Sequence, residues 1–101
     1  MNPAFPNLDQ YEQASMAALA AEEQNFQARL FVIGTTSTPS SSQIQGFLNE
    51  LNAILGRLFA ARSTANDLAA KGRNAYTQRL EALIKGVQDS VQTQARGAAL
   101  R

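Results

Sequence analysis

The strongest pattern in the chain is a stripe of apolar residues at Ile44, Phe47, Leu51, Ile54, Leu58, Ala61, Ala65 and Leu68, spaced 3-4-3-4-3-4-3. That spacing places every member on one side of an α-helix and is the seam of a left-handed coiled coil. Leu48, Leu55 and Phe59 widen the stripe, so this helix is expected to touch more than one neighbour. An earlier segment, from about 8 to 33, carries Tyr11, Met16, Leu19, Phe26, Leu30 and Ile33 at helical spacing. Between them lies Ala17-Ala18-Leu19-Ala20-Ala21, where small side chains would let another helix approach closely.

The punctuation agrees with these helices. Pro3 and Pro6 predict an extended lead-in over residues 1–6. Asn7 is a good N-cap, with Gln10 three residues on as in a capping box, and Asp9 and Glu12 lie where the helix dipole favours acids. Gly34 is expected to end the first helix as its left-handed cap. The Ser/Thr/Pro stretch over 34–42 predicts an exposed connector, because hydroxyl residues compete with helix and Pro39 stops one. Ser40 with Gln43, or Ser42 with Gln45, then caps the second helix.

Lys71-Gly72-Arg73-Asn74 supports two readings. Gly72 as a helix cap and Asn74 as the next N-cap would make a turn. Yet apolar spacing continues through it by steps of four, Leu68, Gly72, Tyr76, Leu80, as in a coiled-coil stutter. The leading expectation is therefore an all-α antiparallel hairpin, one domain over 1–101, whose second helix runs 43–98. The alternative is a three-helix bundle with a break at 71–74. The difference matters for function. A first helix of about 26 residues spans roughly 39 Å, whereas one from 43 to 98 spans roughly 84 Å. In the hairpin, the stripe of Tyr76, Leu80, Leu83, Ile84, Val87 and Val91 stays bare and becomes a candidate assembly surface. The seam of Ile44, Phe47, Leu51, Ile54, Leu58 and Leu68 stays intramolecular.

Composition narrows the chemistry. The chain has no His and no Cys, which removes imidazole acid–base catalysis, thiolate chemistry, disulfides and the ordinary zinc ligands. No phosphate loop, GxSxG or HExxH occurs, and the adjacent acids Glu22 and Glu23 point about 100° apart on a helix. No catalytic residue, cofactor or metal site is expected, and the chain is not expected to be an enzyme. Apolar residues make up 45%, but many are Ala, and aromatics are limited to five Phe and two Tyr. A core that thin favours oligomerisation. The many Gln side chains are less costly to desolvate than charges and so suit an interface.

Charge is uneven although the net is +1: residues 1–50 carry five acids and one base, residues 51–101 eight bases and three acids. The expected consequence is attraction between the halves. The bases are scattered singly, so nucleic-acid binding is not expected. No run of 18 apolar residues occurs, so no transmembrane span is expected. The opening residues have neither a basic start nor an apolar h-region, so no secretory signal peptide is read there. Synthesis in the cytoplasm follows, with export by a route that reads a different signal left open.

In general form, with a short loop containing Pro39 and Ser40–Ser42 and no Cys, the chain resembles the small helix–loop–helix subunits of bacterial secretion needles and related filaments. The resemblance is one of architecture and carries no residue roles. It implies a structural, self-assembling subunit whose partner is another copy of itself. The competing expectation is a small adaptor or chaperone that holds a partner helix from another protein. A second family of short exported hairpins bears Trp-x-Gly at its turn; this chain has no Trp, and its loop reads Gly34-Thr35-Thr36-Ser37.

Overall fold

Asn7 opens the first helix with its side chain: Oδ1 accepts a hydrogen bond from the Gln10 backbone N–H at 2.8 Å. In this computed structural model, which describes residues 7–99 and side chains through Arg96, four helices follow in order. They are α1 (Leu8–Thr35), α2 (Ser41–Ala60), α3 (Arg62–Ala70) and α4 (Ala75–Ala99). The expected lead-in over 1–6 and the last two residues lie outside the described residues. No strand occurs among the described residues, and the protein is all-α.

α1 runs past Gly34, which is an ordinary helical residue and not the cap expected of it. The reason lies in the threonines that follow. The Thr35 and Thr36 hydroxyls donate to the carbonyls of Phe31 and Val32 at 2.8 and 2.7 Å, satisfying the last turn without a left-handed residue. Ser40 then caps α2 with a complete capping box. The Gln43 N–H donates to Ser40 Oγ at 3.1 Å, and the Ser40 N–H donates to Gln43 Oε1 at 2.8 Å.

α2 and α3 behave as one rod with a tightened turn at Ala61. The Ala61 N–H is shared between the carbonyls of Arg57 and Leu58, and the Ala65 N–H donates back to Ala61 at 3.1 Å, so the ladder continues across the wrinkle. The rod does end at Lys71. Gly72 has φ of 80°, the only positive φ among the described residues. The Arg73 N–H donates to the Leu68 carbonyl at 2.9 Å and the Gly72 N–H to the Ala69 carbonyl at 3.0 Å. This is a Schellman cap, and Gly takes its left-handed position at no steric cost.

The long second helix over 43–98 is therefore replaced by two antiparallel segments, the bundle arrangement that the break at 71–74 allowed. The decisive energy is burial. Tyr76, Leu80, Leu83, Ile84 and Val87 are all buried against the rest of the chain, each stabilising by about 1.5–3 kcal/mol relative to exposure. An uninterrupted rod would have left them in water.

Side-chain pairs fix the direction of each rod. Arg29 pairs with Glu50 and Glu22 with Arg57, so α1 and α2 run oppositely. Arg62 pairs with Glu81 and Thr77 donates to the Ala65 carbonyl, so α3 and α4 run oppositely. Glu23 pairs with Arg79 and Phe26 faces Gly86, so α1 and α4 run together. The result is an up-down-up bundle, 54 by 18 by 16 Å. Its radius of gyration is 16.3 Å, against about 13 Å for a compact domain of about 100 residues, because each rod is far longer than three rods are wide. Leu51, Ile54, Leu58, Leu68, Leu80 and Val87 are the fully buried side chains at the centre.

Candidate interaction surface

The six seam positions, Ile44, Phe47, Leu51, Ile54, Leu58 and Leu68, are all buried. They line the face of the α2–α3 rod turned to α4 and α1. The flanking positions divide: Leu55 is buried, Leu48 is half-buried, and Phe59 is 41% exposed with the Arg62 guanidinium 5.0 Å above its ring.

The candidate assembly stripe has a different place from the one its sequence position suggested. Tyr76, Leu80, Leu83, Ile84 and Val87 belong to the same core as Phe47, Leu51, Ile54, Leu58 and Leu68 of the seam, and Val91 packs against its edge. The chain covers this stripe itself, and no other subunit is needed to bury it. The physical reason is the turn at Gly72, which returns α4 along the rod it would otherwise have extended. Burial also holds the Tyr76 hydroxyl above its ordinary pKa, with Tyr11 a second, smaller influence.

The unevenness of charge is consumed within the bundle. All five charged side chains of α1 have partners on the other rods or in the turn before α4. Asp9 and Glu12 pair with Arg73, Glu22 with Arg57, Glu23 with Arg79, and Arg29 with Glu50. The guanidinium pKa values of Arg57, Arg62 and Arg73 are each raised, chiefly by hydrogen bonds to Glu22, to Glu81, and to Asp9 with Glu12. Such exposed pairs contribute little stability singly. They do fix which face of α1 meets the bundle, since the paired charges flank Leu19, Phe26 and Ile33 on both sides.

What remains on α1 is an outer face without a single charge. Ala14, Ala18, Ala21, Asn25, Ala28 and Val32 follow one another at 4-3-4-3-4, a second coiled-coil spacing turned away from the core. All are exposed except Asn25, which is half-buried. Val32, at the end of the stripe, is 59% exposed, and Phe31, about 100° round the helix from it, is 70% exposed; they are the two most exposed large apolar side chains among the described residues. α1 is thus apolar on two sides, inward to α2 and α4 and outward to solvent. The Ala17–Ala21 run, expected as a place of close approach, contributes Ala18 and Ala21 to this face, and Phe31 and Val32 are absent from the expected apolar positions. The available signal was two offset heptad stripes in one helix.

A cleft of about 200 Å³ adjoins this face where α1 meets α2, lined by Arg29, Val32, Ile33, Gly46, Phe47 and Glu50. It is smaller than the roughly 300 Å³ at which small-molecule sites begin. Among the described residues no cluster of three acids could hold a metal ion, and no buried side-chain nitrogen or oxygen lacks a hydrogen-bond partner. No described helix is long and apolar enough to cross a membrane. Comparison with known proteins finds no matching family model, no matching curated protein and no matching solved structure.

Proposed function

We propose that this chain is a structural, non-catalytic helical subunit that works by packing its helices against others, first of all against copies of itself. The observation that carries the reading is the outer face of α1. It is a second heptad-spaced stripe, uncharged, mostly alanine and ending in exposed Val32, on a helix whose inner face is already packed. Apolar surface at helical spacing offers van der Waals contact to another helix and offers nothing to a reacting group. The lack of His and Cys argues in the same direction. The third rod departs from the two-helix hairpin of secretion-needle subunits, so the reading rests on the α1 face and not on that likeness.

A second reading, an adaptor that holds a helix of another protein, draws on the cleft beside Val32 and Phe47, which extends the apolar face across the α1–α2 junction. Sedimentation velocity and light scattering over a wide concentration range separate the two. A self-associating subunit gives a mass above the monomer that rises with concentration. A mass that stays monomeric at every attainable concentration rejects self-association and leaves the adaptor.

A further inference from the structure

We infer that α1 is a releasable strap: it leaves the bundle as a unit while the hairpin of the α2–α3 rod and α4 stays folded, and salt promotes its release. The device is complete in a single chain and needs no second copy.

The core is shared unevenly. Its largest fully buried side chains, Leu51, Ile54, Leu58, Leu68, Leu80 and Val87, lie on α2, α3 and α4. α1 contributes Leu19 and Phe26 as its buried side chains. Its other inward residues, Leu8, Tyr11, Met16, Leu30 and Ile33, are only partly buried against the core. Hydrophobic stabilisation follows the apolar area removed from water, so the longest helix has the weakest apolar hold per turn.

The ion pairs are distributed the opposite way. Arg62 with Glu81 is the one pair among the described residues that joins the α2–α3 rod to α4. The pairs of Glu22 with Arg57, Glu23 with Arg79, Arg29 with Glu50, and Asp9 and Glu12 with Arg73 all tie α1 to the rest. Their side chains reach solvent, so added salt screens them. The hairpin has ties that salt does not reach: the left-handed cap at Gly72, and the Thr77 hydroxyl donating to the Ala65 carbonyl at 3.4 Å. α1 is therefore held more by screenable charge, and less by burial, than the two rods of the hairpin hold each other.

Folded chains open in cooperative units, and the unit with least burial opens at lowest cost. Residues 36–40 lie outside helix and give α1 its hinge. Release uncovers Phe47 beside the α1–α2 cleft and the α4 surface at Gly86, where the Phe26 ring sits. It also frees Arg57 and Arg79 from their glutamate partners at the edges of that groove. The groove suits a helix with acids beside an apolar stripe. Its occupant in the folded chain is α1, which thereby governs access to it.

Native-state amide hydrogen exchange of the full chain tests the strap, at a dilution where the mass is monomeric and at low and high NaCl. The readout is the middle of α1, Leu19 to Phe26, beyond the reach of end fraying. Off the bundle α1 is an isolated helix, marginal in water, so release lets these amides exchange. They are expected to share one opening, to exchange more than about tenfold faster than the amides of 51–58 and 80–87, and to quicken as NaCl rises. Equal protection in all three segments means one cooperative unit and overturns the inference. Exchange in α1 that ignores NaCl overturns the charge-held strap. Ala65→Gly weakens the hairpin alone, on the α3 turn whose carbonyl Thr77 meets. It should speed exchange over 51–58 and 80–87 by about fivefold, the helical preference of Ala over Gly, while α1 keeps the parent's rates. Equal acceleration in α1 sinks the strap. Glu22→Gln combined with Glu23→Gln removes two pairs at little cost in helical preference and is expected to speed α1 exchange several-fold. Parent rates in that variant also reject the charge-held strap.

Discussion

The Phe26 ring of α1 lies beside Gly86 of α4, with Cε2 3.8 Å from the position a β-carbon on Gly86 would occupy. That is ordinary van der Waals distance, so a methyl group there would touch the ring without displacing it. Gly86→Ala is expected to raise stability by about 0.5–1 kcal/mol, the helical preference of Ala over Gly with no packing cost. Gly72→Ala is expected to do the opposite. Open space surrounds Gly72, but its φ of 80° is a left-handed conformation that costs other residues roughly 1–2 kcal/mol. Urea denaturation of the two variants should move the midpoint in opposite directions. A rise for both would mean that no left-handed cap exists at residue 72.

The double variant Leu80→Glu with Val87→Glu tests where the α4 stripe belongs. Both side chains are fully buried within the monomer, between α4 and the other rods. Two unpaired charges there should cost more than the whole stability of a domain this size, typically about 5–15 kcal/mol. Loss of the cooperative thermal transition is the expected result. A cooperatively melting variant with reduced mass would instead place the stripe on a subunit interface.

Tyr76 should make the protein sensitive to alkali. Its folded pKa is raised, so the folded state holds the phenolic proton more tightly than the unfolded state does. Its stabilisation is complete below the unfolded value of about 10 and is lost as pH rises through the higher folded value. Melting temperature is expected to fall above about pH 10, and Tyr76→Phe should remove much of that fall. A Tyr76→Phe variant with the parent's alkaline profile would assign the effect to other groups.

Ser40→Ala should cost about 1 kcal/mol, within the 0.5–2 kcal/mol range of lost N-caps. It deletes the Oγ that accepts from the Gln43 N–H and leaves one half of the reciprocal capping box. Ser42→Ala is the control, since the box at Ser40 is the one that starts α2. Equal losses in the two variants would show that the helix begins later than Ser41.

Features that depend only on neighbours along the chain were legible before any folding back. Asn7 and Ser40 cap helices because a short polar side chain reaches a free backbone N–H three residues on. The 3-4 spacing from Ile44 to Leu68 puts those residues on one side because helical periodicity does so in any context. Two matters depended on what came back to meet those helices. At Lys71–Asn74 the local chemistry suited a turn and a stutter equally, and Gly72 turned because α4 could then bury Tyr76, Leu80 and Val87 on the α2–α3 rod. On α1, apolar residues occur on two sides, and local pattern does not rank them. The rods bearing Arg57 and Arg79, with Arg73 in the turn between them, took the side flanked by Glu12, Glu22 and Glu23, leaving Ala14 to Val32 outside. Which of two apolar faces becomes core is a property of the partner surface, and that surface exists only once the chain has folded back on itself.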